Sequence, residues 1–171
     1  MDSPVGAIAT ARDVLRTQLA NCHYWRNAEG LSLTVDQAKT RIYQTFPLET
    51  NLKELAELRP FAVIHKPLTG VEWKSTAAPR LYQCGGELAI EFHFAPGDLV
   101  ATDPGDRERE LENTIAQIVQ TQNLAEPGLL DLANSAGYHS ILSIREDGPY
   151  CVAPEDLESI GDCWTYWLFV Q

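Results

Sequence analysis

The sequence predicts an α/β (α+β) domain. A single mixed or mostly antiparallel β-sheet is flanked by helices, and an extended hairpin or arm stands apart from it. Three observations predict this. Apolar residues recur at helical spacing near the start of the chain and again after residue 106. They alternate with period two in residues 86–94 and 163–170. Between these regions, residues 67–86 are punctuated by Pro67, Gly70, Pro79, Gly85 and Gly86, and so long a structureless loop would be out of place in a compact domain. With 171 residues the chain suffices for one domain with a proper core, residues 1–171, with 67–86 as a protruding arm.

The elements follow in order. "SPVGAIATARDVLRTQLAN" opens with Ser3 as N-cap and Pro4 at the first helical position. Ile8, Ala11, Leu15 and Leu19 then line one face of a helix. "TVDQAKTRIY" places Thr34 and Gln37 at capping-box spacing, with Val35, Ala38 and Ile42 along one side of a short second helix. "NLKELAEL", residues 51–58, adds a helical turn or two and stops before Pro60. "PFAVIHK", bounded by Pro60 and Pro67, is a strand. The 67–86 arm carries Trp73 and Tyr82.

"GELAIEFHF" is the clearest strand. Leu88, Ile90, Phe92 and Phe94 form a buried face, and Glu87, Ala89, Glu91 and His93 form one that is wet or partnered. "DRERELENTIAQIVQTQNL" is a helix with Leu111, Ile115, Ile118 and Gln122 on one stripe and acidic residues at its start, where the helix dipole favours them. "PGLLDLANSA" is a shorter helical piece. "YHSILSIRE", residues 138–146, alternates as a strand, "DGPY" is a turn, and "PEDLES" is a helical turn. "GDCWTYWLFVQ" closes the chain as a strand that is apolar on both sides. Trp164, Tyr166, Leu168 and Val170 oppose Cys163, Thr165, Trp167 and Phe169. One side packs on helices, and the other needs a second cover from this chain or another subunit.

Charge is unevenly spread. The net charge is −11, composed of +2 over residues 1–81 and −13 over residues 82–171. Gripping nucleic acid requires basic side chains to displace counterions from phosphates, so this balance argues against it. Cys22, Cys84, Cys151 and Cys163 lack metal-finger or C-x-x-C spacing and read as reduced, packed thiols. No apolar run is long enough to span a membrane, and the first residues lack signal-peptide organisation.

The chain carries none of the common nucleotide, hydrolase or zincin signatures. Glu91 and His93 share the polar face of one strand, and His139 on another strand offers a third ligand if the two are neighbours. A solvated or interfacial face explains the pair more simply. His65 has no visible orienting carboxylate and reads as a packed or edge histidine. The carboxylates of "DRERELE" are interspersed with Arg107 and Arg109 and read as a solvated helix start. No catalytic, cofactor or metal site is expected.

The order of segments "AIATARDVLRTQLANCHYW", "DQAKTRIYQTFPL", "RPFAVIHK", "GGELAIEFHF", "DRERELENTIAQIV" and "GDCWTYWLFVQ" resembles that of small tail proteins of tailed bacteriophages and prophages. The likeness is to the tail terminator, or tail completion, family of long-tailed phages, and it runs from about Ala7 to Val170. The resemblance implies a structural, non-enzymatic α/β subunit without cofactors. Such a subunit assembles as a homo-hexameric ring, caps the tail tube protein and presents a surface to the head–tail connector or stopper. It would reside in the virion's tail or neck, and in host cytoplasm during assembly. DNA would pass through the ring without specific binding, past a wall that acidic residues could supply. Trp73, Tyr82, Trp164, Tyr166, Trp167 and Phe169 are the candidate subunit or tube contacts, since aromatic residues concentrate at interface centres. The alternatives are another neck role, such as head completion or connector stopper, and a small metal-dependent hydrolase built on Glu91, His93 and His139.

Overall fold

The computed structural model describes residues 4–27, 30, 32–45, 60–65, 72–75, 82–94, 100, 103–120, 127–130, 144–152 and 163–171. Within them are helices α1 (Pro4–Asn21), α2 (His23–Arg26), α3 (Val35–Lys39) and α4 (Pro104–Val119). The strands are β1 (Ile42–Tyr43), β2 (Phe61–Ile64), β3 (Glu72–Ser75), β4 (Tyr82–Gly85), β5 (Leu88–Phe94), β6 (Ile144–Val152) and β7 (Cys163–Val170). Five strands form one mixed sheet in the order β1-β2-β5-β7-β6, and β3 and β4 form a separate two-stranded sheet. Only β1–β2 is parallel; β2–β5, β5–β7 and β6–β7 are antiparallel. The expected fold class, including the arm as a hairpin, is what the chain adopts.

Local chemistry explains the element boundaries. The capping box at α3 is complete: Thr34 Oγ1 accepts from the Gln37 N–H at 3.3 Å, and Gln37 Oε1 accepts from the Thr34 N–H at 2.8 Å. Ile42 does not continue that helix, because the chain turns at Thr40–Arg41 and Ile42 opens β1. Asp103 caps α4 through Oδ1, which accepts from the Gly105 N–H at 2.9 Å, with Pro104 in the first turn. "DGPY" is not a turn. It lies inside β6 as a register shift between Asp147 and Pro149, a bulge placed where a proline's missing N–H is tolerated, on an outer strand. Ser3, residues 51–58, Gln122, residues 131–143 with His139, and residues 155–158 lie outside the described residues.

The core occupies one face of the sheet. Leu15 and Leu19 of α1, Trp25 of α2, Ala38 of α3 and Leu111, Ile115 and Ile118 of α4 pack there with Leu129. They meet Ile42, Ala62, Ile64, Ile90, Phe92, Phe94, Tyr166, Leu168 and Val170. The register sets those residues in rows across the strands, Ile42–Ala62–Phe92–Tyr166 and Ile64–Ile90–Leu168. Helix α1 lies against β1 and α3, while α4 lies near β6, so the two longest helices cover opposite ends of the sheet. The segment 127–130 bridges α2 and the end of α4. The His23 N–H donates to the Pro127 carbonyl at 3.0 Å, and a Cβ on Gly128 would stand 2.8 Å from the Gln120 backbone. Only glycine allows that approach, which seats Leu129 in the core.

Candidate functional site

The second face of the sheet is set by the same register shifted by one residue. Tyr43, Val63, Glu91 and Trp167 form one row, with Asp147 at the outer end of the register. Phe61 pairs with His93, and Ala89 pairs with Phe169, which in turn pairs with Arg145. Around β5 this face is not wet: Ala89 is fully buried and His93 is 8% exposed. Phe61 and Val63 are buried as well, with Tyr43 packed on them.

Glu91 is the centre of this face. Its Oε2 lies 2.7 Å from Nε2 of His65, the residue just after β2, and its Oε1 lies 2.9 Å from His93 Nε2. The expectation that His65 lacks an orienting carboxylate is therefore overturned. Antiparallel pairing of β2 with β5, anchored by His65 N–H donating to the Ala89 carbonyl at 2.9 Å, brings His65 to Glu91. Each imidazole is also held by an aromatic ring. His93 stacks on Phe61 with centroids 4.5 Å apart and planes at 11°. His65 reaches over the small Ala89 to stack on Trp167 at 5.0 Å. The stack continues from Trp167 to Phe169 at 6.4 Å, where the Arg145 guanidinium lies 4.7 Å from the ring centroid. Arg145 also approaches Glu87 at 3.6 Å.

Electrostatics at Glu91 oppose one another. Burial pushes its carboxyl up. The hydrogen bond and charge of His93, and then those of His65, pull it down, and the net result is a pKa below the ordinary glutamate value. A depressed carboxylate contributes stability above its unfolded pKa, and that contribution is lost as pH falls through the folded value. Glu91→Gln is accordingly expected to cost about 1–3 kcal/mol at pH 7, where two charge-assisted bonds are weakened. Its cost should shrink as the pH is lowered from about 5 towards 2, where the wild-type carboxylate itself protonates. Urea denaturation of both proteins across that range reads the difference. A cost that stays constant down to the acid limit would remove Glu91 ionisation from the account.

The arrangement is a carboxylate clasp between strands. His65 Nε2 is hydrogen-bonded to Glu91 and His93 Nε2 lies at ion-pair distance from it, and no group of three potential ligands suited to a metal ion is found among the described residues. His139 lies outside those residues. Of the aromatic candidates, Tyr166 is a core residue, 2% exposed, whereas Trp167 and Phe169 sit half-buried on the second face. Trp73 and Tyr82 lie on the two strands of the separate hairpin, at register positions Trp73↔Cys84 and Ser75↔Tyr82. Trp164 pairs with Phe94 and Cys151 in the main sheet. The structure therefore separates the six into a core position (Tyr166), a stacked ladder (Trp167 and Phe169), the hairpin (Trp73 and Tyr82) and a main-sheet position, Trp164. Among the described residues no helix is long and apolar enough to cross a membrane. Neither a protein-family model nor a curated protein matches the sequence.

Proposed function

We propose that this chain is a structural subunit of a phage tail, a tail terminator that forms a ring on the tail tube and joins it to the head connector. The observation that carries the reading is the hairpin β3–β4, which lies beside α1 and does not join the sheet that holds the core. Four-residue strands in a two-stranded sheet are marginal on their own in water. Contact with a neighbouring subunit or the tube gives such an element a purpose that the core does not. The half-buried Trp167 and Phe169, capped by Arg145, supply a further contact surface of the composition interfaces favour. The exposed Glu108 and Glu112 of α4 add acidic surface of the kind DNA could pass without adhering, beside an Asp106–Arg109 pair at 3.4 Å.

The test is the mass of the purified protein, alone and with tail-tube protein, followed by negative-stain images. A six-membered ring, alone or only with the tube, is the expected result. A monomer indifferent to tube protein would overturn the reading. Two substitutions divide the roles further. Trp164→Ala should cost more folding stability than Trp73→Ala, and Trp73→Ala should cost more assembly. The reverse order would move the contact away from the hairpin.

A further inference from the structure

We propose that successive copies of this chain join by strand addition, the β3–β4 hairpin of one copy extending the sheet of the next at the β6 edge. The inference rests on the ring reading above and specifies its joint.

Both sheets end in strands that lack a partner strand on one side among the described residues. The order β1-β2-β5-β7-β6 makes β6 an outer strand, paired on one side only among the described residues. A long outer strand presents a row of N–H and C=O groups that templates another strand. The other outer strand, β1, has just two residues and offers almost nothing. In the hairpin, β4 lies beside α1, and among the described residues β3 pairs with β4 alone. Adding β3 to β6 satisfies both sets of groups at once and turns a marginal hairpin into part of a larger sheet.

Length and position agree. The bulge between Asp147 and Pro149, with a proline that has no N–H to give, interrupts the β6 edge. The bulge divides β6 into two regular stretches of four residues, Ile144–Asp147 and Pro149–Val152; the first holds no proline and matches the four of β3 (Glu72–Ser75). The hairpin lies beside α1, which is fastened to the β1–β2 end of the sheet. The acceptor strand lies at the opposite end, near α4. A donor and an acceptor at opposite ends of one subunit make a heterologous contact, the kind that closes into rings.

Charge gives the pairing its direction. By sequence, residues 66–86 carry three basic side chains against one acidic, and residues 144–163 carry one basic against six acidic; of these, Glu72 and Lys74 lie on β3 and Arg145, Glu146 and Asp147 on β6. Arm against arm, or edge against edge, brings like charges together. Arm on edge brings opposite charges together, which favours that encounter and suppresses the others.

The experiment uses two variants of the full chain. One carries proline on β3 (Trp73→Pro or Lys74→Pro), the other proline on the edge (Arg145→Pro or Glu146→Pro). In each adjacent pair one N–H faces away from the partner strand, and the member that keeps wild-type circular dichroism and Tm is used. Each variant alone should fail to form rings. An equimolar mixture should stop at a heterodimer, because one intact arm meets one intact edge and no free pair remains. Where proline prevents folding, charge reversal replaces it: K74E and E146K/D147K should each weaken assembly at least tenfold, and their combination in one chain should restore it. If wild type forms rings and the arm and edge variants assemble as well as it does, strand addition is overturned while the ring reading stands. If wild type stays monomeric alone and with tail-tube protein, both fall. If the mixture yields the heterodimer but tube protein changes nothing, the joint stands and the tail role falls.

Discussion

Phe92→Ala should lower stability by about 3–5 kcal/mol, the cost of deleting a fully buried ring that its surroundings cannot replace. Phe92 is 0% exposed in the middle strand of the sheet. Its ring is stacked on Trp25 at 6.4 Å and 14° and on Phe94 at 6.5 Å, and Trp25 is in turn held edge-on by Tyr24 at 5.1 Å. One register neighbour is Ala62, too small to fill the space, and the other is Tyr166, itself fixed in the core. The cavity therefore stays open, and Trp25 loses the stacking contact that orients α2. Against a typical domain stability of about 5–15 kcal/mol, the variant sits near its limit. Urea denaturation should show a lower midpoint with an unchanged slope. Val100→Ala, at a side chain 91% exposed, is the control and should move the midpoint little. A Phe92→Ala midpoint close to the control's would mean that the helices do not close over this row.

That row was legible in the sequence because its signal is local. Period-two alternation in "GELAIEFHF" and "GDCWTYWLFVQ" separates the core-facing Phe92, Tyr166 and Leu168 from Glu91, Trp167 and Phe169, and the register keeps them separate. The Thr34–Gln37 box and the stripe Leu111–Ile115–Ile118 were legible for the same reason, since each is fixed within a few residues. What the sequence hid is non-local. His65 and Glu91 are 26 residues apart, with the whole hairpin between them, so no turn of fixed length sets the β2–β5 register. The contact becomes visible only once Phe61↔His93 and Val63↔Glu91 are known to pair. The "DGPY" segment misled for the opposite reason. Asp-Gly-Pro is a strong local turn signal, and it was overridden because β7 supplies a partner along the whole of β6, leaving the extra residue as a bulge. The one-turn helix α2 was missed because Cys22–Arg26 is too short to show a period.

Arg12→Ala should cost about 2–4 kcal/mol, from lost hydrogen bonds between a charged donor and partly buried carbonyls. Arg12 projects from α1 to the parallel pair β1–β2. Its Nη2 donates to the Ile64 carbonyl at 2.8 Å and also to the carbonyl of Gln44, one acceptor at the end of each strand. Arg16, one turn later, donates to the Lys39 carbonyl at 2.8 Å. Arg16 thus ties α1 to α3, and Arg12 fastens it to the end of the sheet where β1, only two residues long, has little ladder of its own. Burial lowers the Arg12 pKa from the ordinary arginine value and the neighbouring Asp13 carboxylate partly offsets this, but a guanidinium stays protonated at any pH the protein meets. The loss on Arg12→Ala should therefore be flat across the acid range, in contrast to that of Glu91→Gln. Lysine keeps the charge but not the planar fork, so Arg12→Lys should recover less than half of it. Denaturation midpoints of the three proteins at two pH values decide the matter. Full rescue by lysine would mean that charge alone, and not the directed contact with the two strand ends, holds the helix in place.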